Sequence, residues 1–199
     1  MAELFIELFS EEIPSELQID SRQKIKDMLE KNLQKKEIKY TSSQSFSTPQ
    51  RLVFVLGGIP EKIEQKKKIL KGPKVDAPLT AIDGFIKSNN LNKQDIYKKN
   101  IEKGEFYFAD IESKLVDISK ELKLVIPEVL QNYSWKRSMK WSDYDLSWGR
   151  PLKSIAALFN NKVINFSFFH LQSSDLTFID GVNEDKIIKI NGFKSYLRI

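Results

Sequence analysis

The run Leu52-Val53-Phe54-Val55-Leu56 is apolar at every position, and no other feature constrains the chain as strongly. Successive side chains of a strand point to opposite faces, so such a run demands cover on both sides. It reads as a strand in the middle of a sheet, entered through Thr48-Pro49-Gln50-Arg51 and ended by Gly57-Gly58. Residues 2–9 supply a neighbour: Leu4, Ile6 and Leu8 alternate with Glu3, Phe5, Glu7 and Phe9, which predicts a first strand. Ser10-Glu11-Glu12-Ile13-Pro14 breaks that strand and opens a helix, since proline is tolerated in a first turn. The helix is expected to run to about Lys36, with Leu17, Ile25, Met28, Leu29 and Leu33 as its apolar stripe. A further strand is expected within residues 40–48. The order is then strand, helix, strand, strand, with the helix on one side of a sheet.

Residues 61–74 are the most basic stretch and read either as an exposed connector or as a surface for phosphate. A short helix over 79–89 should turn Ala81, Ile82, Phe85 and Ile86 inward, with Gly84 admitting another backbone closely. Residues 96–111 read as a hairpin turning at Lys103-Gly104. Leu115, Ile118, Leu122, Val125, Ile126, Val129 and Leu130 fall at helical spacing, and Pro127 either kinks this helix or begins a second segment. An aromatic and basic loop over 133–141 leads to Trp148-Gly149-Arg150-Pro151. Strands are expected over 155–159 and 163–168, joined at the tight-turn pair Asn160-Asn161, and again over 187–190. The expected fold class is α+β, mainly antiparallel sheets with packed helices. The expected division is an N-terminal α+β lobe over 1–114, a helix with its aromatic and basic loop over 115–149, and a β-rich segment over 150–199 that begins a truncated second lobe.

Composition removes much chemistry. The chain has 199 residues, no cysteine and one histidine, His170. Thiolate nucleophiles, disulfides, iron–sulfur clusters and zinc–thiolate sites are excluded together, and one imidazole builds no multi-histidine metal site. His170 follows Phe166-Ser167-Phe168-Phe169 and reads as a strand-end residue. No apolar run approaches the roughly 18–20 residues of a membrane-spanning helix, and the first residues carry carboxylates without a basic flank. A cytoplasmic protein without a membrane partner is therefore expected.

Glu11-Glu12 reads as a pair of helix-start carboxylates complementing the dipole, or as an acid–base pair lacking a nameable partner. Lys71-Gly72-Pro73-Lys74 lacks the spacing of a phosphate loop. The net charge of +5 is carried by lysine and is compatible with phosphate contact, because bound cations release counterions. In the 133–141 loop, Trp135 and Trp141 either stack on bases beside Lys136, Arg137 and Lys140, or close over the core.

Five segments in this order resemble the amino-terminal part of the β subunit of bacterial heterotetrameric glycyl-tRNA synthetase. Ser10-Glu11-Glu12-Ile13-Pro14 is similar to the family's Thr-Glu-Glu-Leu-Pro-type motif after the first strand. Thr48-Pro49-Gln50-Arg51-Leu52 resembles its Thr-Pro-Arg-Arg-Leu, one arginine short. Lys71-Gly72-Pro73 and Ala81-Ile82-Asp83-Gly84-Phe85 resemble its Lys/Arg-Gly-Pro and the Ala-x-x-Gly-Phe helix. Arg137-Ser138-Met139-Lys140-Trp141 resembles Lys-x-Met-Arg-Trp. Arg150-Pro151 with Ala156-Ala157-Leu158 resembles the Arg-Pro that opens a strand ending in Ala-Leu-Leu. The family's Thr-x-Gly-His-Arg-Phe has no counterpart, since Thr177-Phe178 runs into Ile179-Asp180-Gly181.

The resemblance implies an N-terminal fragment of a β subunit. In that family the α subunit activates glycine with ATP and magnesium, and the β subunit supplies tRNA binding and assembly. The implied function is non-catalytic positioning of tRNA within a glycine–tRNA ligase, the fragment alone being inactive. The implied partners are the α subunit, in an assembly of two α and two β chains, and tRNA. No cofactor, metal ligand or catalytic residue is expected in this chain. Phosphate contacts are expected at Lys66, Lys67, Lys68, Lys71, Lys136, Arg137 and Arg150, while Arg51 and Arg150 serve equally as tethers of strand ends. The alternative is a protein-binding scaffold without RNA contact.

Overall fold

Every residue in the centre of the first strand is opposed by a residue on each side. The computed structural model describes residues 1–65, 67–89, 91–101, 104–141, 143–179 and 186–199. It begins with β1 (Ala2–Ser10), α1 (Ser15–Lys35), β2 (Ser42–Thr48) and β3 (Arg51–Ile59). There follow β4 (Lys62–Gln65), β5 (Lys68–Lys74), α2 (Leu79–Ser88), β6 (Ile96–Ile101), β7 (Gly104–Ile111) and β8 (Lys114–Asp117). The chain continues through α3 (Ile118–Asn132), β9 (Leu152–Phe159), β10 (Lys162–Val163), β11 (Ser167–Phe168) and β12 (Leu171–Gln172). It ends with β13 (Leu176–Phe178), β14 (Ile187–Lys189) and α4 (Phe193–Tyr196). The class is α+β with antiparallel sheets, as the periodicities indicate.

Two units are present, one of residues 1–63 and 117–199, the other of residues 64–116. This differs from the expected 1–114, 115–149 and 150–199. The reason is that β9 pairs antiparallel with β1, which draws residues beyond 150 into the same sheet as the first strand. The chain passes between the units within β4 and within β8, which pair with one another.

The first unit is built on an antiparallel sheet ordered β10-β9-β1-β3-β2. Opposed residues share a face, so the register sorts the side chains. Leu4, Ile6 and Leu8 lie beside Leu56, Phe54 and Leu52 of β3 and beside Phe159, Ala157 and Ile155 of β9. This face packs against Leu17, Ile25, Leu29 and Leu33 of α1 and against Ile118, Leu122, Val125 and Val129 of α3. The opposite face presents Phe5, Val55, Leu158, Val53 and Ala156, which Ile190, Phe193 and Tyr196 of the last segment cover. The double-sided burial expected of 52–56 is thus met by helices on one side and the chain's last residues on the other.

Several local expectations are corrected. Gly57-Gly58 does not end β3. Gly58 has φ +74, the register shifts between Ala2 and Leu4, and the strand continues through this bulge to Ile59. Asn160-Asn161, both with positive φ, makes the expected tight turn from β9 into β10. The strand expected over 163–168 is interrupted because buried Ser173 takes over its backbone groups. Its hydroxyl accepts from the Phe166 amide at 2.8 Å and donates to the Ile164 carbonyl at 2.7 Å. α3 begins at Ile118, where Asp117 accepts from the Ser119 amide at 3.0 Å, so Leu115 belongs to β8 instead. The helix runs through Pro127 as one element.

In the second unit, β5-β7-β6 form an antiparallel sheet. Within the basic stretch, Lys68–Lys74 is therefore strand rather than connector, because β5 pairs with β7 from Lys68↔Ile111 to Lys74↔Phe106. Of α2, Ile86 is buried but Ala81 is exposed. Gly84 has open space around it, whereas a Cβ on Gly72 would stand 2.8 Å from the Phe85 ring. The close approach thus falls at the glycine of Lys71-Gly72-Pro73. The turn expected at Lys103-Gly104 lies partly outside the described residues, and Ile101 pairs with Gly104 on either side of it.

Phe54 lies at the centre of the helix-covered face and Phe46 on the edge strand, stacked on Phe193 with ring centres 5.3 Å apart. Phe54→Ala should cost about 3–5 kcal/mol of stability. Phe46→Ala should cost about 0.5–1.5 kcal/mol beyond the area it exposes. Urea unfolding followed by tryptophan fluorescence separates them, and equal destabilisation would contradict the two-faced packing.

Candidate functional site

Antiparallel pairing on both sides of β1 sets its last residue beside the first residues of β3 and β9. Phe9 opposes Arg51, and Ser10 opposes Leu152. The segments that follow or precede these ends must therefore meet. The Ser10 amide donates to the Gln50 carbonyl at 2.8 Å, the Ile13 amide to the Pro49 carbonyl at 2.6 Å, and the Glu11 amide to the Pro151 carbonyl at 3.0 Å. Three motifs remote in sequence, 10–14, 48–52 and 150–151, become the walls of one cleft of about 730 Å³. Its charged lining is Glu11, Glu12, Arg150 and Lys153. Gln50 lines the same cleft.

The aromatic loop fixes Arg150. Met139 and Trp148 exchange backbone hydrogen bonds at 2.8 and 3.1 Å. Trp135 meets Trp148 edge-on at 5.2 Å and Tyr133 at 5.3 Å, and the Tyr133 hydroxyl donates to Ser21 Oγ at 2.9 Å. A Cβ on Gly149 would lie 2.3 Å from the Trp135 ring, so glycine is what lets the indole seat beside the residue preceding Arg150. Arg150 Nη1 approaches Met139 Sδ at 3.8 Å, and its Nε is buried without a partner among the described residues. Trp135 is thus a core residue and not a free stacking surface. Trp141 is half-buried against the core cluster, 6.2 Å from the His170 ring. His170 sits in the turn between β11 and β12 and stacks on Tyr144 at 3.8 Å.

The other expected contact residues are dispersed. Lys66 lies outside the described residues. Lys67 pairs with Glu112 at 3.0 Å and Asp110 at 3.6 Å, and both carboxylates raise its pKa. Lys68 is exposed on β5, and Lys71 holds its Nζ 3.9 Å over the Phe106 ring. These belong to the second unit. In the first, Lys136 pairs with Asp20 at 3.3 Å, Arg137 is exposed, and Arg150 stands in the cleft. Arg51 is an internal tether. Its Nε lies 3.4 Å from Glu7, its Nη2 donates to the Phe178 carbonyl, and its guanidinium sits 4.7 Å over Phe9.

That tether belongs to a polar cluster that sequence reasoning missed. Glu7 lies on the face of Phe5 and Phe9 and is 1% exposed. The Thr177 hydroxyl stands 2.8 and 2.7 Å from its two oxygens. One hydroxyl carries one proton, so both contacts are satisfied best when Glu7 carries another. Burial pushes the Glu7 carboxyl above its ordinary 4.5, against Thr177 and Arg51, which lower it. Burial and the neighbouring Glu7 also push Tyr196 up. The available signal was the carboxylate itself, set between Phe5 and Phe9 on one face of the strand and opposed by Val53 and Ala156.

The geometry defines a class first: an antiparallel α+β protein in which separate motifs close around an open charged cleft, with a second small α+β unit inserted in sequence. The family model described as glycyl-tRNA synthetase beta subunit matches residues 4–199. The glycine–tRNA ligase beta subunit of Rickettsia peacockii (strain Rustic) is 33% identical over 196 residues, covering 98% of this chain and 29% of the relative. That of Rickettsia bellii (strain OSU 85-389) is also 33% identical over 196 residues, covering 98% and 30%. The chain belongs to the glycyl-tRNA synthetase beta subunit family. It spans about three tenths of the length of these relatives.

Gly149→Ala should force the indole of Trp135 aside at an overpacking cost of about 1–3 kcal/mol. A lower unfolding midpoint with altered near-ultraviolet circular dichroism is expected, and an unchanged spectrum would refute the contact. For Glu7, the raised pKa means the folded state favours the neutral acid. That stabilising contribution is full below pH 4.5 and is lost as pH rises through the raised folded value. Glu7→Gln removes the titration. The stability of the wild type relative to this variant should fall as pH rises above 4.5. A difference that stays level or grows across that window would reverse the assignment.

Proposed function

We propose that this chain serves glycyl-tRNA synthetase as a non-catalytic part that positions tRNA and supports assembly in the cytoplasm. Attachment of glycine, with ATP and magnesium, is assigned to the α subunit. The observation that carries the reading is the lysine distribution of the second unit. Lys71 and Lys74 on β5 and Lys98 and Lys99 on β6 are exposed and have no carboxylate partner among the described residues. Ammonium groups left unpaired on strands of one sheet suit a phosphate chain, whose condensed counterions they displace. Lys66, Lys67, Lys68, Lys71, Lys136, Arg137 and Arg150 are the proposed phosphate contacts, with Lys67 and Lys136 exchanging their carboxylate partners for phosphate. The benefit to catalysis is positional, since a tRNA end held near activated glycine reacts in an effectively unimolecular step.

The mixed charge of the cleft favours a second role beside this one. Glu11 and Glu12 repel phosphate, while carboxylates facing Arg150 and Lys153 match the polar rim of a protein partner. The cleft is accordingly proposed for assembly with the α subunit.

In the assembled synthetase, replacing Lys68, Lys71 and Lys74 together with glutamate should weaken tRNA binding. It should also flatten the dependence of log affinity on log salt by about one for each phosphate no longer neutralised. Filter binding across a salt series measures both. Unchanged affinity and slope would leave these lysines as solvated surface and favour the scaffold role alone.

A further inference from the structure

The three-stranded sheet of the second unit has two unlike faces. On one, Leu70, Ala109 and Ile96 lie opposite each other, and Phe85 of α2 packs against Gly72. Ala109 is fully buried there. On the other face, Lys71 opposes Phe108, which opposes Tyr97, and Lys74 opposes Phe106, which opposes Lys99. Aromatic rings and lysines therefore alternate across the strands of a face that α2 does not cover.

The side chains are arranged accordingly. Tyr97 and Phe108 stack at 6.2 Å with ring planes 26° apart, and Tyr97 is 40% exposed. Lys71 Nζ stands 3.9 Å over the Phe106 ring and Lys74 Nζ 5.9 Å from it, with Lys99 Nζ 5.8 Å over Phe108. Among the described residues of these strands, the carboxylate on this face, Asp110, is occupied, accepting from the Tyr97 hydroxyl at 2.8 Å and pairing with Lys67 at 3.6 Å. The ammonium groups of Lys71, Lys74 and Lys99 thus rest on ring faces with no carboxylate to hold them among the described residues. An exposed cation–π contact is weak, and a phosphate oxygen is the better partner for the same ammonium.

The geometry points to this face as a stacking platform for an unpaired segment of RNA, with Tyr97 and Phe106 receiving bases and Lys71, Lys74 and Lys99 meeting the phosphates. The platform rests on the reading that the chain holds tRNA, and names the surface and the part of the RNA. A duplex hides its base faces inside the stack, whereas an unpaired strand can lay them on aromatic rings. Charge complementarity decides the occupant: an apolar or cationic peptide would leave three ammonium groups unmatched, and an anionic strand engages all of them.

The experiment uses the assembled synthetase with fluorescein-labelled unpaired RNA, the same sequence annealed into a duplex, and intact tRNA. Tyr97→Leu should weaken binding of the unpaired RNA about tenfold at an unchanged salt slope, because stacking releases no counterions. Tyr97→Phe keeps the ring and should bind like the wild type. Lys71→Gln with Lys99→Gln should lower both affinity and slope. Weakening in Tyr97→Leu matched by Tyr97→Phe would mean that the hydroxyl's bond to Asp110, and not stacking, matters, and would overturn the platform. So would unaltered binding in a folded Tyr97→Leu protein. Affinity for tRNA that survives these changes but disappears on reversing the charges of Lys136 and Arg137 would sink the platform while leaving the tRNA-positioning reading intact. An assembled synthetase whose tRNA affinity none of these changes touch would sink both.

Discussion

β1 is paired along both edges and covered on both faces, and the first unit follows from that confinement. A strand with no solvent side needs two hydrogen-bonded neighbours and two layers of apolar cover. β3 and β9 are the neighbours, α1 and α3 form one layer, and the closing segment through Ile190, Phe193 and Tyr196 forms the other. The same confinement traps Glu7. Its burial is offset by Thr177, Arg51 and Tyr196, which lie far along the chain, so a single carboxylate ties the last segment to the first strand.

Confinement of β1 also explains the cleft. Because both partners run antiparallel to β1, its exit and their entries share one end of the sheet, and the loops leaving that end meet there. The family motifs at 10–14, 48–52 and 150–151 are thus neighbours in space for a topological reason. The motif at 137–141 stands behind them, since Met139 pairs with Trp148 and abuts Arg150. The remaining motif belongs to the second unit, where Gly72 and Phe85 meet. Its lysines lie on strands with one face covered by a helix and the other carrying rings capped by ammonium groups. The two units therefore offer different chemistry, mixed charge in the first and cation with aromatic in the second.

Much of this was legible in the sequence where local stereochemistry decides. The alternation of Leu4, Ile6 and Leu8, the stripe from Leu17 to Leu33 and the turn at Asn160-Asn161 all stand as read. Errors fell where a distant partner overrode a local signal. Gly57-Gly58 looks like a strand end, but pairing with β1 carries β3 past it as a bulge. The lysines of 61–74 look like solvated connector, but β7 supplies a hydrogen-bonding edge that makes part of them strand. Ser173 halts a strand that its own apolar residues favour. At the sites, Arg150 was legible as a phosphate contact or a tether, while the cluster around Glu7 was not read from the sequence, because its partners are not adjacent to it there.

By itself the sequence determined the secondary-structure periods, the absence of thiol chemistry and the family's motif order, since each is written in residue type and spacing. Only the tertiary structure decided which strands share an edge, which charges are buried and which lysines stand over rings. Periodicity tells a strand which face to bury but not whose backbone groups will complete its hydrogen bonds. That choice is made over long separations, by the burial that a whole arrangement achieves at once.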